Sequence, residues 1–325
     1  MPTPEVRHLT VDEESDGQRL DNFLMRHLKG VPKTHVYRII RSGEVRVNKG
    51  RADAQDRVRA GDILRVPPVR ISEQVESKAT APVPAREFPV LFEDAAFLAI
   101  DKPAGVAVHG GSGVSFGVIE QLRRARPQAP LLELVHRLDR ETSGVLLIAK
   151  KKSALKSLQE QFRERETGKT YLALVSGIWP VRHKVIDQPL HKYLLADGER
   201  RVKVVPADDP DGMRSITLVH RRSTGHPPPG RGVEVATHTL SLLEVTIKTG
   251  RTHQIRVHLS HAGHPIVGDD KYGDFELNRQ FQKSGLKRMF LHAWRLGLRH
   301  PVSGEMLQLE SPLPPELALW EDLKQ

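Results

Sequence analysis

The chain has 325 residues and a formal net charge of +10, so it has room for two domains and a sizeable core, and it favours a polyanionic partner. It contains no cysteine, which excludes disulfides, thiolate metal sites and cysteine nucleophiles, and with them zinc-dependent base deaminases. The N-terminus has no apolar secretory signal and no apolar run approaches about 18 residues, so we expect a soluble, cytoplasmic protein with no membrane segment.

The positive charge is concentrated in residues 17–70, which carry 13 Lys or Arg against 5 Asp or Glu. Apolar residues recur there twice at helical spacing and two alternating runs follow, so the sequence predicts two helices and a hairpin. The second helix is predicted to begin at Pro32 and to end near Gly43. Basic side chains off the apolar stripe or in the hairpin are candidate RNA contacts: Lys33, Arg38, Arg41, Arg46 and Lys49. The alternative is a solvated basic face on a small domain.

A linker is predicted over residues 71–88, which are polar, rich in Pro and Ala, and without periodicity. The second domain is then predicted over 89–325. Its predicted strands are 97–100, 145–149, a strand with Tyr171 near its start, and 240–248; its predicted helices are 118–126, 153–165 and one with Thr252 as N-cap and Gly263 as its stop. The Pro- and Gly-rich segment Thr224–Val233 predicts a loop.

The most informative stretch is 134–150. Its first half, His136 to Glu141, holds five ionisable side chains in six positions, and the apolar run Val145–Ala149 behind it predicts a buried strand. The strand anchors the charged segment, so its side chains have fixed places. Asp139, a carboxylate between two arginines, is either part of a structural ion-pair cluster or a working site.

Three local patterns suggest other chemistry, and each is incomplete. The segment Gly113–Gly117 matches the serine-hydrolase pattern G-x-S-x-G around Ser115, but a glycine-rich loop precedes it instead of a buried strand. Gly168-Lys169-Thr170 copies the end of a phosphate-binding P-loop, but Arg163 stands where the partner glycine belongs.

A zinc site is the third pattern. It consists of His258, His261 and His264, which follow one another at three-residue steps. Histidines at this spacing with no carboxylate make a poor ligand set for zinc. We interpret the acidic segment Gly268–Gly273 as structural. The sequence therefore predicts neither a metal nor an organic cofactor.

Four motifs, in chain order, resemble those of the RluA-type pseudouridine synthases. They are K-P-x-G at Lys102–Gly105, H-R-L-D-x-x-T-S-G at His136–Gly144, K-x-Y at Lys169–Tyr171, and G-R-T-H-Q-I-R at Gly250–Arg256. The basic N-terminal unit resembles a small RNA-binding domain first described in a small-subunit ribosomal protein. Together the two resemblances span nearly the whole chain.

The family resemblance implies an α+β catalytic domain with a mixed, mainly antiparallel sheet, and isomerisation of specific uridines to pseudouridine in 23S ribosomal RNA. It implies that Asp139 stabilises or traps the sugar cation, as in glycosidases, and that Arg256 holds this carboxylate ionised and oriented. Tyr171 would stack on the uracil and relay its carbon-bound proton; the alternative is a half-buried strand tyrosine. Arg137 would contact RNA beside the flipped base, or form only a salt bridge. No electrons move, so no redox cofactor is needed. We expect a monomer.

Two further classes fit part of the sequence. One is a non-catalytic RNA-binding or ribosome-assembly factor. The other is a hydrolase that uses Ser115, or a glycosidase that uses Asp139 with Glu141. Release of tritium from carbon-five-labelled uridine distinguishes an isomerase from a pure binder, and free uracil as product would identify a glycosidase.

Overall fold

A computed structural model describes residues 6–28, 31, 33–69, 83–110, 116–195, 199–229 and 235–324 of the chain. The chain divides into two compact units, Met1–Pro82 and Val83–Gln325. In these described ranges no helix has the length and apolar character needed to cross a membrane.

The first unit consists of two helices and a small antiparallel sheet. Its elements are β1 (Arg7–Thr10), α1 (Leu20–His27), α2 (Lys33–Arg41), β2 (Arg46–Val47) and β3 (Ile63–Val66), with β3 between β1 and β2. The apolar stripes of both helices meet in one core, where Leu20, Phe23, Val36 and Leu64 are fully buried. The predicted helices and hairpin are therefore confirmed. Strand β1 was missed because its four residues include only one apolar side chain, so no alternation marks it.

The second unit is built on one large sheet with helices packed against it. Its strands are β4 (Val90–Glu93), β5 (Phe97–Lys102), β6 (Glu133–Leu134), β7 (Ser143–Ala149), β8 (Gly168–Ser176), β9 (Val185–Asp187), β10 (Leu190–Leu194), β11 (Arg200–Val204), β12 (Ile216–Gly225), β13 (Leu240–Ile247), β14 (Leu291–Arg299) and β15 (Met306–Glu310). Its helices are α3 (Val118–Ala125), α4 (Lys152–Arg163), α5 (Gln254–His261), α6 (Phe275–Lys283) and α7 (Pro315–Ala318).

The strand order of the large sheet is β4-β5-β7-β14-β8-β13-β12-β9, with β6 also paired to β7 and β15 to β14. Within the described strands of this sheet only β7 and β14 run parallel; the other pairs are antiparallel. The predicted α+β class with a mixed, mainly antiparallel sheet is confirmed. Every residue of β7 is buried, because apolar clusters cover both faces of the sheet.

Two segments differ from the sequence analysis. Phe88, at the end of the predicted linker, is buried against Leu98 and Leu122 in the second unit. A single Phe among Pro and Ala residues gives no periodic signal, so its burial could not be predicted. Thr224 and Gly225, predicted in a loop, belong to β12, since its ladder to β13 continues to the Gly225–Leu240 pair. Residues 230–233 of that predicted loop lie outside the described residues.

Candidate active site

One cavity of the second unit, about 510 Å³ in volume, contains the predicted site residues in its lining: Arg137, Asp139, Tyr171 and Arg256. Asp139 lies in the loop before β7, Tyr171 on the central strand β8, and Arg256 on α5. The fold thus brings together side chains that are more than 100 residues apart in sequence. Glu141, the second carboxylate of the glycosidase alternative, lines a different cavity with Lys102 and Arg288.

The loop that carries Asp139 is anchored by the inward side chains of His136 and Leu138. His136 points inward, where its Nε2 accepts a hydrogen bond from the Leu147 amide at 3.1 Å and its ring stacks on Phe162 at 4.7 Å. Burial lowers the pKa of His136 to about 4, so this imidazole is neutral and structural at neutral pH. Leu138 is also buried, whereas Arg137 and Arg140 are exposed. Asp139 is therefore held at the cavity wall by anchors on both sides.

Gly144 fixes where β7 begins. Its φ is +113°, and a Cβ atom there would lie 2.2 Å from the carbonyl oxygen of Ala293, its partner in the parallel pairing with β14. Only glycine fits such a close approach of two backbones. The carboxylate five residues earlier is thereby tied to the centre of the sheet.

Lys102 supports the same loop from behind. Its side chain is completely buried, and its ammonium donates to the carbonyl oxygens of Pro103, Val106 and Arg140 at 2.8, 2.7 and 3.1 Å. The amide of Gly105 also donates to the Arg140 carbonyl at 2.9 Å. Burial, aided by the positive charge of Arg288, lowers the pKa of Lys102 to about 7. The K-P-x-G segment thus holds the backbone directly after Asp139 in place. The motif by itself did not indicate this role.

Arg256 is buried and has three acidic partners, Asp139, Asp269 and the exposed Asp270. Its Nη1 lies 3.4 Å from Asp139 Oδ2, while its Nε and Nη2 donate to the two oxygens of Asp269 at 2.7 and 2.6 Å. The sequence analysis considered only Asp139, but the shorter, bidentate contact is with Asp269, which is fully buried. Burial alone would raise the pKa of Asp269, but the hydrogen bonds and charge of Arg256 bring it below its ordinary value. This buried ion pair fixes the guanidinium that faces Asp139.

His253 is a further side chain at Asp139 that was not predicted. Its Nε2 lies 3.9 Å from Asp139 Oδ2, and its Nδ1 is 2.8 Å from the hydroxyl of Tyr272. Burial lowers the pKa of His253, partly opposed by the charge of Asp139, so the imidazole is neutral at neutral pH. The Tyr272 hydroxyl also accepts from the Val202 amide at 3.0 Å, so the phenol is held in place and holds the imidazole beside Asp139.

The start of α5 differs from the prediction. His253, with φ of +52°, is the N-cap, and Thr252 is not. The side chain of Gln254 bonds to the segment before the helix: its Oε1 accepts from the Arg251 amide and the Thr249 hydroxyl, and its Nε2 donates to the Ile216 carbonyl. These bonds hold the tight turn that presents His253 to the cavity. The predicted stop is confirmed, since Gly263, with φ of +82°, directly follows the C-cap residue of α5.

Tyr171 lies on β8 opposite Val245 and packs against apolar clusters on its own face of the sheet. Burial raises the pKa of its phenol well above the ordinary value, and the negative charge of Asp139 raises it further. The hydroxyl therefore keeps its proton throughout the neutral range. Among the described residues this hydroxyl has no hydrogen-bond partner, so it is available to a bound molecule.

The candidate RNA contacts of the first unit are mostly exposed. Arg38, Arg41 and Lys49 lie at the surface, Arg38 being 3.9 Å from Glu44, while Arg46 is half-buried opposite Arg65 in the sheet. The backbone of Lys33 begins α2, but its side chain lies outside the described residues, as does the whole of Pro32.

Two of the three histidines of the zinc hypothesis have other partners. His258 is buried between the Thr217 hydroxyl and the Gln188 carbonyl, and His264 contacts the Ser176 carbonyl. In the described ranges one group has metal-ligand chemistry: His191, Asp209 and Asp211, whose ligand atoms all lie within 4.8 Å of one another.

The P-loop pattern is a strand, since Gly168-Lys169-Thr170 begins β8. Ser115 of the hydrolase pattern lies outside the described residues.

Comparison with known proteins defines the class. The family model described as RNA pseudouridylate synthase matches residues 96–261, and the S4 domain matches residues 18–64. The chain therefore belongs to the RNA pseudouridylate synthase family and is an RNA pseudouridine synthase with an N-terminal S4 domain. Both resemblances stated from the motifs are confirmed.

Named relatives are similar over almost the full length. Ribosomal large subunit pseudouridine synthase C of Yersinia pestis is 50% identical over 317 residues, covering 97% of this chain and 94% of the relative. The protein of the same name from Escherichia coli (strain K12) is 49% identical, covering 96% and 94%. Among solved structures, human RNA pseudouridylate synthase domain containing 1 matches with a TM-score of 0.58 and 28% identity, covering 74% of this chain and 91% of that one.

Proposed function

We propose that the protein converts specific uridines of 23S, large-subunit ribosomal RNA to pseudouridine, with Asp139 as the carboxylate that acts on the sugar. The observation that carries the proposal is the cavity in which Asp139 lies beside Arg256, His253 and Tyr171. The names of the relatives at about half identity support the substrate class.

The chemistry follows from the charges. Breaking the glycosidic bond builds positive charge on the ribose, and an ionised carboxylate stabilises or traps it. Arg256 Nη1 and His253 Nε2 both approach Oδ2 of Asp139, at 3.4 and 3.9 Å, and the charge of the arginine orients the carboxylate. The phenol of Tyr171 provides a flat face for the uracil. Its hydroxyl relays a proton: it takes up the one that carbon five loses and passes its own to the ring nitrogen freed from the sugar. A base within folded RNA must leave its stack to enter the cavity, so we propose that the uridine is flipped.

The proposed substrate is tested by mapping pseudouridines in ribosomal RNA from a strain that lacks the gene. We expect specific positions of the large-subunit RNA to be unmodified, and the purified protein to restore them with release of tritium from carbon-five-labelled uridine. An unchanged pattern in the deletion strain would contradict the proposed substrate. Release of free uracil would indicate a glycosidase instead.

The role of Tyr171 is tested by Tyr171→Phe, which keeps the ring and removes the hydroxyl. If the hydroxyl relays a proton, the single-turnover rate should fall by about 100-fold or more while RNA affinity stays within a few-fold. Because its pKa is raised, the wild-type rate should show no loss from ionisation of Tyr171 up to about pH 9. Equal rates for the two proteins would leave Tyr171 as a stacking residue only.

The basic face of the S4 domain is tested by the triple variant Arg38→Gln, Arg41→Gln, Lys49→Gln. Each lost phosphate contact should reduce the slope of log affinity against log salt by roughly 0.7 to 0.9. The single-turnover rate at saturating RNA should stay unchanged, since these residues lie outside the cavity.

The matched control removes three charges from exposed positions on and after α6 of the second unit, namely Arg279→Gln, Lys283→Gln and Lys287→Gln. If the S4-domain triple variant has the same salt slope as this control, its basic face does not touch RNA.

A metal requirement is tested by chelation. We expect full activity in EDTA as long as the RNA remains folded, because the proposed steps use only carboxylate, guanidinium, imidazole and phenol groups. A loss that zinc alone restores would point to His191, Asp209 and Asp211 as ligands.

A further inference from the structure

Lys169 is an unusual residue for the centre of a sheet. It lies on β8 between β13 and β14, opposite Ile247 and Leu296, and its side chain is only 8% exposed. Side chains two residues apart on a strand share a face, so Lys169 lies on the same face as Tyr171. Both residues line the cavity that contains Asp139.

The ammonium of Lys169 has no acidic partner within the described ranges. Among the described residues it has neither a hydrogen-bond acceptor nor a carboxylate in ion-pair range; its nearest named contact is the Phe162 ring, with Nζ 5.4 Å from the ring centroid. Buried charges are normally paired, because an isolated charge loses its hydration. A buried lysine that opens into a cavity without an acceptor is therefore suited to an anion from outside the chain.

Two further cations surround it. Arg165, in the turn between α4 and β8, and Lys248, at the end of β13, line the same cavity, and neither has an ion pair within the described part of the chain. Their charges, added to the larger effect of burial, lower the pKa of Lys169. Arg165 also has a φ of +63°, a conformation that is unfavourable for a side chain of its size and tends to occur at functional sites.

We propose that Lys169, with Arg165 and Lys248, forms a phosphate-binding subsite for the phosphodiester next to the target uridine. The proposal rests on the proposed function, since it takes RNA to be the molecule in the cavity. An RNA backbone carries one negative charge for each linkage, so one linkage can pair with the ammonium of Lys169, and the two flanking cations strengthen the attraction. The subsite and Asp139 share one cavity, so a phosphate held here would position the attached ribose before Asp139. Lys169 would be a positioning residue.

The test is a double-mutant cycle, in which the affinity of each protein variant is measured for each RNA variant. The RNA is a large-subunit fragment with the target uridine, natural or with one neutral methylphosphonate on either side of that uridine. The proteins are wild type, Lys169→Met and Lys169→Arg. Lys156→Met is the matched control, because Lys156 is an exposed lysine on α4 outside the cavity.

We expect Lys169→Met to weaken binding of the natural RNA by about tenfold and to reduce its salt slope by roughly 0.7. A methylphosphonate at one of the two positions should weaken RNA binding by wild type and by Lys156→Met by a similar factor. It should leave RNA binding by Lys169→Met unchanged. Lys169→Arg should keep most of the affinity. Losses that add independently at both linkages would overturn the subsite.

Failure of the proposed function and failure of the subsite give different results. If wild type forms no pseudouridine in any large-subunit fragment, the proposed function fails, and the subsite, which needs a target uridine, fails with it. If wild type forms pseudouridine and the cycle is additive, the subsite alone fails. If Lys169→Met does not fold, Lys248→Met takes its place in the double-mutant cycle. Lys248 is exposed, so its replacement leaves the core intact.

Discussion

Replacing Asp139 with asparagine should reduce pseudouridine formation by at least about 10,000-fold while the protein stays folded. Asparagine keeps the shape of the side chain but removes the charge that would stabilise or trap the ribose cation. Asp139 is partly open to the cavity and makes no bidentate ion pair with any described residue, so its charge contributes little to the fold. The measurements are single-turnover tritium release and thermal unfolding.

Asp270 offers a matched control for this experiment. Its Oδ1 lies 3.2 Å from Nη2 of the same arginine, but its side chain is 69% exposed. Asp270→Asn should change the rate by less than about threefold, because an exposed ion pair contributes little. Substantial activity in a well-folded Asp139→Asn protein would overturn the assignment of the carboxylate.

Replacing Arg256 with methionine should affect both stability and rate. Asp269 would remain buried without its bidentate partner, and removing one member of a buried pair costs about 3–5 kcal/mol of the free energy of unfolding. The amides of Lys271 and Tyr272 still donate to Asp269, which places the expected loss at the lower end. The rate should fall by about 100-fold or more, since Asp139 loses its nearest cation.

The stability deficit of Arg256→Met should change with pH in one direction. In the wild type the pKa of Asp269 is lowered, so its contribution is complete above about pH 4 and is lost as the pH falls through the folded value. In Arg256→Met the burial remains without the compensating charge, so the pKa of Asp269 should be raised instead. The stability deficit of the variant should therefore shrink as the pH falls from about 7 towards 4. A deficit independent of pH would contradict the pairing.

A double variant separates stability from catalysis. Adding Asp269→Asn to Arg256→Met removes the uncompensated charge, so it should recover part of the lost stability. It should recover none of the lost rate, because Asp139 still lacks Arg256. If stability and rate return together, Arg256 acts only through the fold.

Much of the architecture could be predicted because it depends on local patterns. The continuous apolar run of β7 predicts a strand buried on both faces, and the structure buries each of its residues. Helical spacing predicted α1, α2, α4 and the inner stripe of α5, where Ile255 and Leu259 are buried. Strand β1 and the burial of Phe88 were missed, since neither has a repeating pattern.

The candidate site, too, could be predicted only in part. The motifs indicated Asp139, Tyr171, Arg256 and the family. They did not indicate that Asp269 is the principal partner of Arg256, nor that His253 faces Asp139. The alternation along β8 was a usable signal for Lys169, because a residue two positions before a site tyrosine shares its face.

The sequence by itself determined the family, several of the helices and strands, and the motif residues Asp139 and Tyr171 that line the cavity. These depend on short segments in which residue type and spacing carry the information. Only the tertiary structure decided which charges are paired and which are not. Lys102 and Lys169 look alike in the sequence, yet one is bonded to three backbone carbonyls and the other opens into a cavity between two cations. Whether a buried charge is neutralised depends on the loops and strands around it, which come from distant parts of the chain.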